Sequence, residues 1–120
     1  MDRKLNILLV EDHEDSAYAT SRLLEAHGHQ VRRANSVQSA LAASAEQPFD
    51  LLISDLGLPD ADGKELMRQL RDRMKGIALT GQAMEDEIGR AREAGFAEHL
   101  TKPVDFDRLR EAIARVAGSN

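Results

Sequence analysis

The sequence contains no cysteine and no tryptophan, and only 3% of its 120 residues are aromatic. Without cysteine the chain forms neither disulfides nor thiolate-ligated metal sites. The scarcity of aromatic rings argues against a surface on which nucleic-acid bases or sugars would stack. The net charge is −5 and no block of lysine and arginine is present, so no nucleic-acid groove is expected.

Long hydrophobic runs are missing as well. The first apolar run, Leu5 to Val10, is followed at once by acidic residues and is too short for a secretory signal or a membrane span. We therefore expect a cytoplasmic protein that makes no membrane contact, which also fits the absence of cysteine. From the length we expect one domain over residues 1–120, with no output domain.

Short apolar runs alternate along the chain with longer segments of helical periodicity. The short runs predict buried strands at 5–10, 30–33, 51–55, 77–80 and 98–101. A helix is predicted after each strand: over about 14–27 before Gly28, behind an N-cap at Ser36, around 66–70, over about 84–94 before Gly95, and over 106–116. The residues predicted to face the core in the first two helices are Ala17, Leu23, Leu24, Val37, Ala40, Leu41 and Ala45.

Five strand-then-helix units in succession favour an open, mostly parallel sheet with helices on both faces. The crossovers in such a sheet are right-handed. Ligands bind outside the carboxyl ends of the strands, where the strand order reverses. The residues that follow each strand are therefore the candidates for a functional site.

Charged and hydroxyl side chains stand at four of these strand ends: Glu11, Asp12, Asp55, Thr80 and Lys102. Three carboxylates that meet at one edge repel each other unless a cation lies between them. An oxygen-only set of ligands suits Mg²⁺. Lys102 would offer a positive charge, and Thr80 a hydroxyl group, to the oxygens of a phosphoryl group.

In this order, and with Asp55-Leu56-Gly57-Leu58-Pro59 leading to Gly63, these motifs closely resemble response-regulator receiver domains. The resemblance covers essentially the whole chain. It implies a flavodoxin-like α/β fold, (βα)5, with a doubly wound five-stranded parallel sheet in the order 2-1-3-4-5. It also implies a phosphoacceptor role in a two-component phosphorelay.

The resemblance assigns a role to each residue of the site. Asp55 would accept the phosphoryl group. Asp12, Asp55 and the backbone carbonyl of Gly57 would bind Mg²⁺ directly, with Glu11 acting through water. Thr80 and Lys102 would bind the phosphoryl oxygens.

Several neighbouring residues receive secondary roles from the same resemblance. Gly81 would leave room for the phosphoryl group, and the bond between Lys102 and Pro103 is expected to be cis. Gly57 and Gln82 would flank the path of the hydrolytic water. His99 stands three residues before the lysine, where family members usually carry an aromatic switch residue that moves with Thr80.

The implied partner is a sensor histidine kinase or a histidine phosphotransfer protein, while the sequence does not specify the downstream partner. The resemblance also implies a surface that could support a dimer, formed by the fourth helix, the fifth strand and the fifth helix. His99 and the segments around Ala78-Leu79 and Gly95-Phe96 look more like receivers attached to hybrid histidine kinases. The isolated domain is expected not to be an enzyme beyond its own phosphorylation and dephosphorylation.

Simpler interpretations exist for each residue alone. Glu11 and Asp12 could cap a helix, Asp55 could form a turn, and Lys102 could be a solvated surface residue. His13, His27 and His29 are interpreted as surface residues, because their spacing implies no partner.

Two other functions remain open. A haloacid-dehalogenase-like phosphatase would carry two aspartates two residues apart after the first strand, where this chain has Glu11-Asp12. An unphosphorylated interaction module would usually have lost the acid pair, the aspartate or the lysine.

Overall fold

The protein forms a five-stranded parallel sheet in the order β2-β1-β3-β4-β5, as predicted. The structure is a computed structural model that describes residues 4–82 and 84–117. The strands are β1 (Asn6–Val10), β2 (Gln30–Ala34), β3 (Leu51–Asp55), β4 (Lys75–Thr80) and β5 (Glu98–Thr101). The helices are α1 (Glu14–Ala26), α2 (Val37–Glu46), α3 (Gly63–Leu70), α4 (Glu85–Ala94) and α5 (Phe106–Val116).

Two apolar layers cover the two faces of the sheet. Side chains of β1 and β3 alternate between them, since successive strand residues point to opposite faces. Leu8 and Leu52 pack in one layer with α2, α3 and α4, whereas Leu9 and Ile53 pack in the other with α1 and α5. Because β1 and β3 are covered on both faces, they read in the sequence as continuous apolar runs.

The fourth strand starts two residues before its predicted position. Lys75 and Gly76 pair with Leu51 and Leu52 of β3, and neither residue has the hydropathy that marks a buried strand. The third helix ends at Leu70, and four residues separate it from β4, which begins at Lys75. Hydrogen bonding along the ladder thus determined a boundary that hydropathy did not show.

Two predicted core residues face solvent instead. Leu23 is 45% exposed, because the buried stripe of α1 runs through Ala17, Ser21 and Leu24 and leaves Leu23 beside it. Ala45 is exposed, whereas Ala43 is buried and continues the stripe of α2. The predictions for the other core positions of these helices are confirmed, with Leu41 partly buried.

The ends of the helices agree with the predicted signals. Gly28 and Gly95 have φ values of 95° and 123°, a conformation that L-residues with a side chain rarely adopt. Ser36 caps α2 through a reciprocal pair of hydrogen bonds with Ser39. Within 4–82 and 84–117, no helix is both long and apolar enough to span a bilayer.

Candidate functional site

The carboxyl edge of the sheet brings together side chains at the ends of β1, β3 and β5. Asp55 is the last residue of β3, and Glu11 comes directly after β1, its neighbour in the sheet. Lys102 follows β5, and its backbone N–H donates to the carbonyl oxygen of Thr80 at 2.8 Å. The parallel order of the strands therefore places Lys102 across the edge from Glu11, although 91 positions separate them in the chain.

Lys102 bridges two buried carboxylates. Its Nζ lies 2.8 Å from Oδ1 of Asp55 and 2.8 Å from Oε2 of Glu11. The side chains of both acids are only 4% exposed, and that of Lys102 is 30% exposed. Buried charges of this kind are stable only when they are paired, so the lysine holds the two acids together at the edge.

One oxygen of the phosphoacceptor candidate has an ion-pair partner but no hydrogen bond within the described part of the chain. Oδ1 of Asp55 is buried and accepts no hydrogen bond from any residue the structure describes. Lys102 Nζ is within ion-pair distance of that oxygen, but its direction of approach does not make a hydrogen bond. A buried acceptor in this condition fits a site that receives a metal ion or a phosphoryl group.

The two buried acids have opposite pKa shifts. Burial and the neighbouring Glu11 raise the pKa of Asp55 to about 7, against the opposing effect of Lys102. Burial alone would also raise the pKa of Glu11, but hydrogen bonds with Asp55, Lys102 and His13 outweigh it and lower that pKa to about 2. The two carboxylates share Lys102 and titrate as a pair, so between about pH 2 and pH 7 the pair holds one proton, mainly on Asp55.

The donor set suits a hard divalent cation. One ligand atom from each of Glu11, Asp12, His13 and Asp55 lies within 4.8 Å of all the others. Three of these groups are carboxylates, and Asp12 is exposed to solvent. Mg²⁺ is commonly bound by one or two carboxylates and keeps several waters, which an open acidic edge permits. The residues therefore fit the magnesium ion that the sequence predicted.

His13 does have carboxylate partners, contrary to the interpretation that its spacing implied none. Its Nδ1 lies 3.1 Å from Oε1 of Glu11 and 3.5 Å from Oδ1 of Asp12, and its side chain is 73% exposed. The turn after β1 folds the ring back over the acid pair. Only the position of His13 directly after Glu11-Asp12 could have signalled this contact.

The other two histidines that were interpreted as surface residues, His27 and His29, also have partners. His29 is half-buried, and its Nδ1 accepts a hydrogen bond from the backbone N–H of Leu5. His27 is exposed, as predicted, and its ring packs against Phe106 at 5.0 Å between centroids.

Thr80 has its hydroxyl group engaged with the backbone of Gln82. The hydroxyl donates to the Gln82 carbonyl oxygen at 2.8 Å and accepts from the Gln82 N–H at 3.2 Å. Gly81, between them, is exposed, and a Cβ atom built on it would meet nothing within 4 Å among the described residues. The peptide bond between Lys102 and Pro103 is cis, as predicted. His99 is half-buried on β5, paired in register with Ala78.

Two acids near the α3 end of the loop after Asp55, which no sequence pattern marked, hold that loop in place. Asp60 accepts hydrogen bonds from the backbone N–H groups of Val37 and Gln38, both at 2.9 Å, and these bonds lower its pKa. Asp62 caps α3 by accepting from the backbone N–H of Lys64. Gly57 is exposed and precedes both anchors, and it pairs with Asp62 in an isolated β-bridge, so its carbonyl belongs to a loop fixed to α2 and α3.

Lys64 is buried, which hydropathy alone could not show. Its Nζ lies 2.8 Å from Oδ2 of Asp62 and 3.0 Å from Oε2 of Glu87 on α4. The lysine therefore connects the end of the loop after Asp55 with the first turn of α4.

The doubly wound sheet carries Glu11, Asp12, Asp55, Thr80 and Lys102 at its carboxyl edge. This fold and this set of residues define the class of receiver domains, and sequence comparison agrees. The family model described as "Response regulator receiver domain" matches residues 7–114. The chain therefore belongs to the receiver-domain family of two-component signalling proteins.

Two relatives are sensor proteins much longer than this chain. The virulence sensor protein BvgS of Bordetella pertussis is 35% identical over 94% of this chain and 10% of its own length. The sensory/regulatory protein RpfC of Xanthomonas campestris pv. campestris is 31% identical over 98% of this chain and 17% of its own length. The chain thus spans a small part of these relatives.

A solved structure matches nearly the whole fold. The non-phosphorylated receiver domain of HemR from Leptospira biflexa superimposes with a TM-score of 0.88 at 31% identity. The match covers 98% of this chain and 97% of that one.

Proposed function

We propose that this domain accepts a phosphoryl group on Asp55 and passes a signal to a partner by changing its surface. The observation that carries the proposal is the position of Asp55, buried at the carboxyl edge with Lys102 Nζ 2.8 Å away and one oxygen without a hydrogen bond. This arrangement provides a nucleophile and a cation on the same side of the sheet.

The transfer is a displacement at phosphorus. The donor would be a phosphorylated histidine of a partner protein. A carboxylate oxygen of Asp55 forms the new bond to phosphorus while the bond between phosphorus and the imidazole nitrogen of that histidine breaks, and the electron pair leaves with the nitrogen. The product is an acyl phosphate. Asp55 must be ionised to attack, and Lys102 offsets the charge that accumulates on the phosphoryl oxygens.

A magnesium ion bound by Asp12, Asp55 and the Gly57 carbonyl, with Glu11 through water, would supply further neutralisation of the phosphoryl oxygens. Asp12 is exposed and can meet an ion arriving from solvent. Glu11 stays ionised, because its pKa is lowered to about 2. The loop after Asp55, anchored through Asp60 and Asp62, would keep the Gly57 carbonyl at the edge of the site.

The switch would begin at Thr80. Its hydroxyl must break both bonds with Gln82 before it can donate to a phosphoryl oxygen. The gain of a charge-assisted hydrogen bond would offset that loss. His99 lies one strand away and would respond to the vacated space, changing the surface formed by α4, β5 and α5. A partner, or a second copy of the domain, would bind there.

The donor would be a sensor histidine kinase or a histidine phosphotransfer protein, in line with the sensor proteins among the relatives. Residues 1–120 would act as one receiver domain in the cytoplasm, and its own chemistry would be limited to gaining and losing the phosphoryl group. Gln82 and Gly57 are both exposed at the mouth of the site and would influence how fast water removes the group.

Intact-mass measurement after incubation with Mg²⁺ and acetyl phosphate tests the proposal. We expect the wild type to gain one phosphoryl group and Asp55→Asn to gain none. The matched control is Asp72→Asn, which removes an exposed carboxylate outside the site and should behave as the wild type does. Chelating the metal should abolish the gain.

Two results would contradict the proposal. Equal phosphorylation of Asp55→Asn would place the acceptor elsewhere. A folded wild type that binds Mg²⁺ and gains nothing would make the unphosphorylated interaction module the better interpretation.

A further inference from the structure

His13 stands at the mouth of the acidic site, where its largely exposed ring contacts the carboxylates. It occupies the N-cap position of α1, yet its side chain makes no capping hydrogen bond with that helix. Its Nδ1 instead lies 3.1 Å from Glu11 Oε1 and 3.5 Å from Asp12 Oδ1. The ring is therefore directed at the carboxylates rather than at the helix end.

The same cluster contains a buried carboxylate oxygen whose charge is paired with Lys102 Nζ at 2.8 Å but which has no hydrogen-bond donor among the residues that the structure describes. Oδ1 of Asp55 accepts no hydrogen bond from the described residues, although the side chain is only 4% exposed. The donor atoms of Glu11, Asp12, His13 and Asp55 all lie within 4.8 Å of one another. Ligand bonds to divalent transition ions are about 2.0–2.2 Å long, so one ion could contact nitrogen and oxygen donors across such a cluster after small side-chain movements.

We propose that this site binds a borderline divalent transition ion, of the Co²⁺ or Zn²⁺ type, more tightly than Mg²⁺, and that His13 Nδ1 is the ligand that creates the preference. The proposal rests on the proposed function in so far as the ion uses the same carboxylates. Imidazole suits transition ions, whereas Mg²⁺ selects oxygen ligands. Removing the ring should therefore affect the two kinds of ion differently.

Binding of an ion at His13 Nδ1 displaces the hydrogen that this nitrogen carries in the metal-free site. An ionised carboxylate only accepts hydrogen bonds, so Nδ1 carries the hydrogen when it faces Glu11 Oε1. When an ion binds at Nδ1, a neutral ring moves that hydrogen to Nε2, and a charged ring releases one proton to solvent. Glu11 loses this partner but keeps the bonds from Lys102 and from the backbone N–H of His13.

Calorimetric titration of the whole chain with Co²⁺ and, separately, with Mg²⁺ tests the proposal. We expect the wild type to bind Co²⁺ at least about tenfold more tightly than Mg²⁺. His13→Gln should weaken Co²⁺ binding about tenfold or more and leave Mg²⁺ binding within about twofold. Loss of the imidazole should also change the visible spectrum of bound Co²⁺.

Two further variants serve as controls. His27→Gln removes an exposed imidazole at the far end of α1 and should leave both affinities unchanged. Asp55→Asn should weaken the binding of both ions, which places them in the same site. Circular dichroism of each variant checks that the fold is retained.

Equal Co²⁺ affinity in the wild type and His13→Gln would overturn the inference. So would an equal loss for both ions, because His13 would then act only by holding Glu11. If Mg²⁺ binds through Asp55 while His13 has no influence, the inference fails and the proposed function stands. If the wild type binds neither ion, the metal site of the proposed function fails with it.

Discussion

Raising the pH from 6 to 8 should strengthen Mg²⁺ binding about tenfold, because Asp55 must lose its proton before it can bind the ion. The cause lies in the structure. Burial, together with the neighbouring Glu11, raises the pKa of Asp55 to about 7. Glu11 has a pKa of about 2 and stays ionised over this range. The pH dependence therefore reports on Asp55.

The magnitude follows from the titration of one group. With a pKa of about 7, roughly one tenth of Asp55 is ionised at pH 6 and roughly nine tenths at pH 8. The apparent affinity scales with the ionised fraction, so it rises about tenfold, or ~1.4 kcal/mol. At pH 7, binding should release about half a proton.

Stability without metal should change in a related way. The pKa of Asp55 in the folded state lies above its usual value of 3.8. The contribution of Asp55 to stability is therefore fully present below pH 3.8 and is lost as the pH rises through about 7. Glu11 behaves oppositely, since its lowered pKa contributes stability above 4.5 that is lost toward pH 2. Asp55→Asn should therefore be more stable than the metal-free wild type at pH 8.

Calorimetric titrations with Mg²⁺ at about pH 6, 7 and 8, in buffers of different ionisation enthalpy, measure both the affinity and the released protons. Lys102→Met removes the cation that favours ionised Asp55, and should move the affinity profile to higher pH. A dissociation constant that stays the same from pH 6 to 8 would refute the reasoning.

Two further predictions concern the loop after Asp55, and denaturant unfolding measures both. Gly63→Ala should lower the free energy of unfolding by ~3 kcal/mol, because the added Cβ would collide with the Asp55 carbonyl oxygen. Gly89→Ala, in open space on α4, should raise the free energy of unfolding by ~1 kcal/mol. Equal unfolding midpoints for the two variants would contradict this prediction. Lys64→Met should lower the free energy of unfolding by only ~1 kcal/mol, since Glu87 stays partly solvated when its partner is removed. A variant more stable than the wild type would show that the ion pairs of Lys64 make no net contribution to stability.

The local sequence determined most of the fold. Apolar runs and helical periodicity depend on residues close together in the chain, so β3 and β5 were predicted to the residue, as were the stop at Gly28 and the cap at Ser36. The identities of the residues at the strand ends also predicted the acidic site, because parallel strands bring their carboxyl ends to one edge. The strand order itself came from the resemblance.

Tertiary structure decided what depends on residues far apart in the chain. The burial of Lys64 requires Glu87, 23 positions later, and the tether of Asp60 requires the start of α2, 23 positions earlier. The exposure of Leu23 reflects where α1 docks on the sheet. The pKa of Asp55 likewise depends on burial and on Glu11, which only the packed sheet brings beside it. A local pattern contains no information on such distances, because the packing of the sheet sets them.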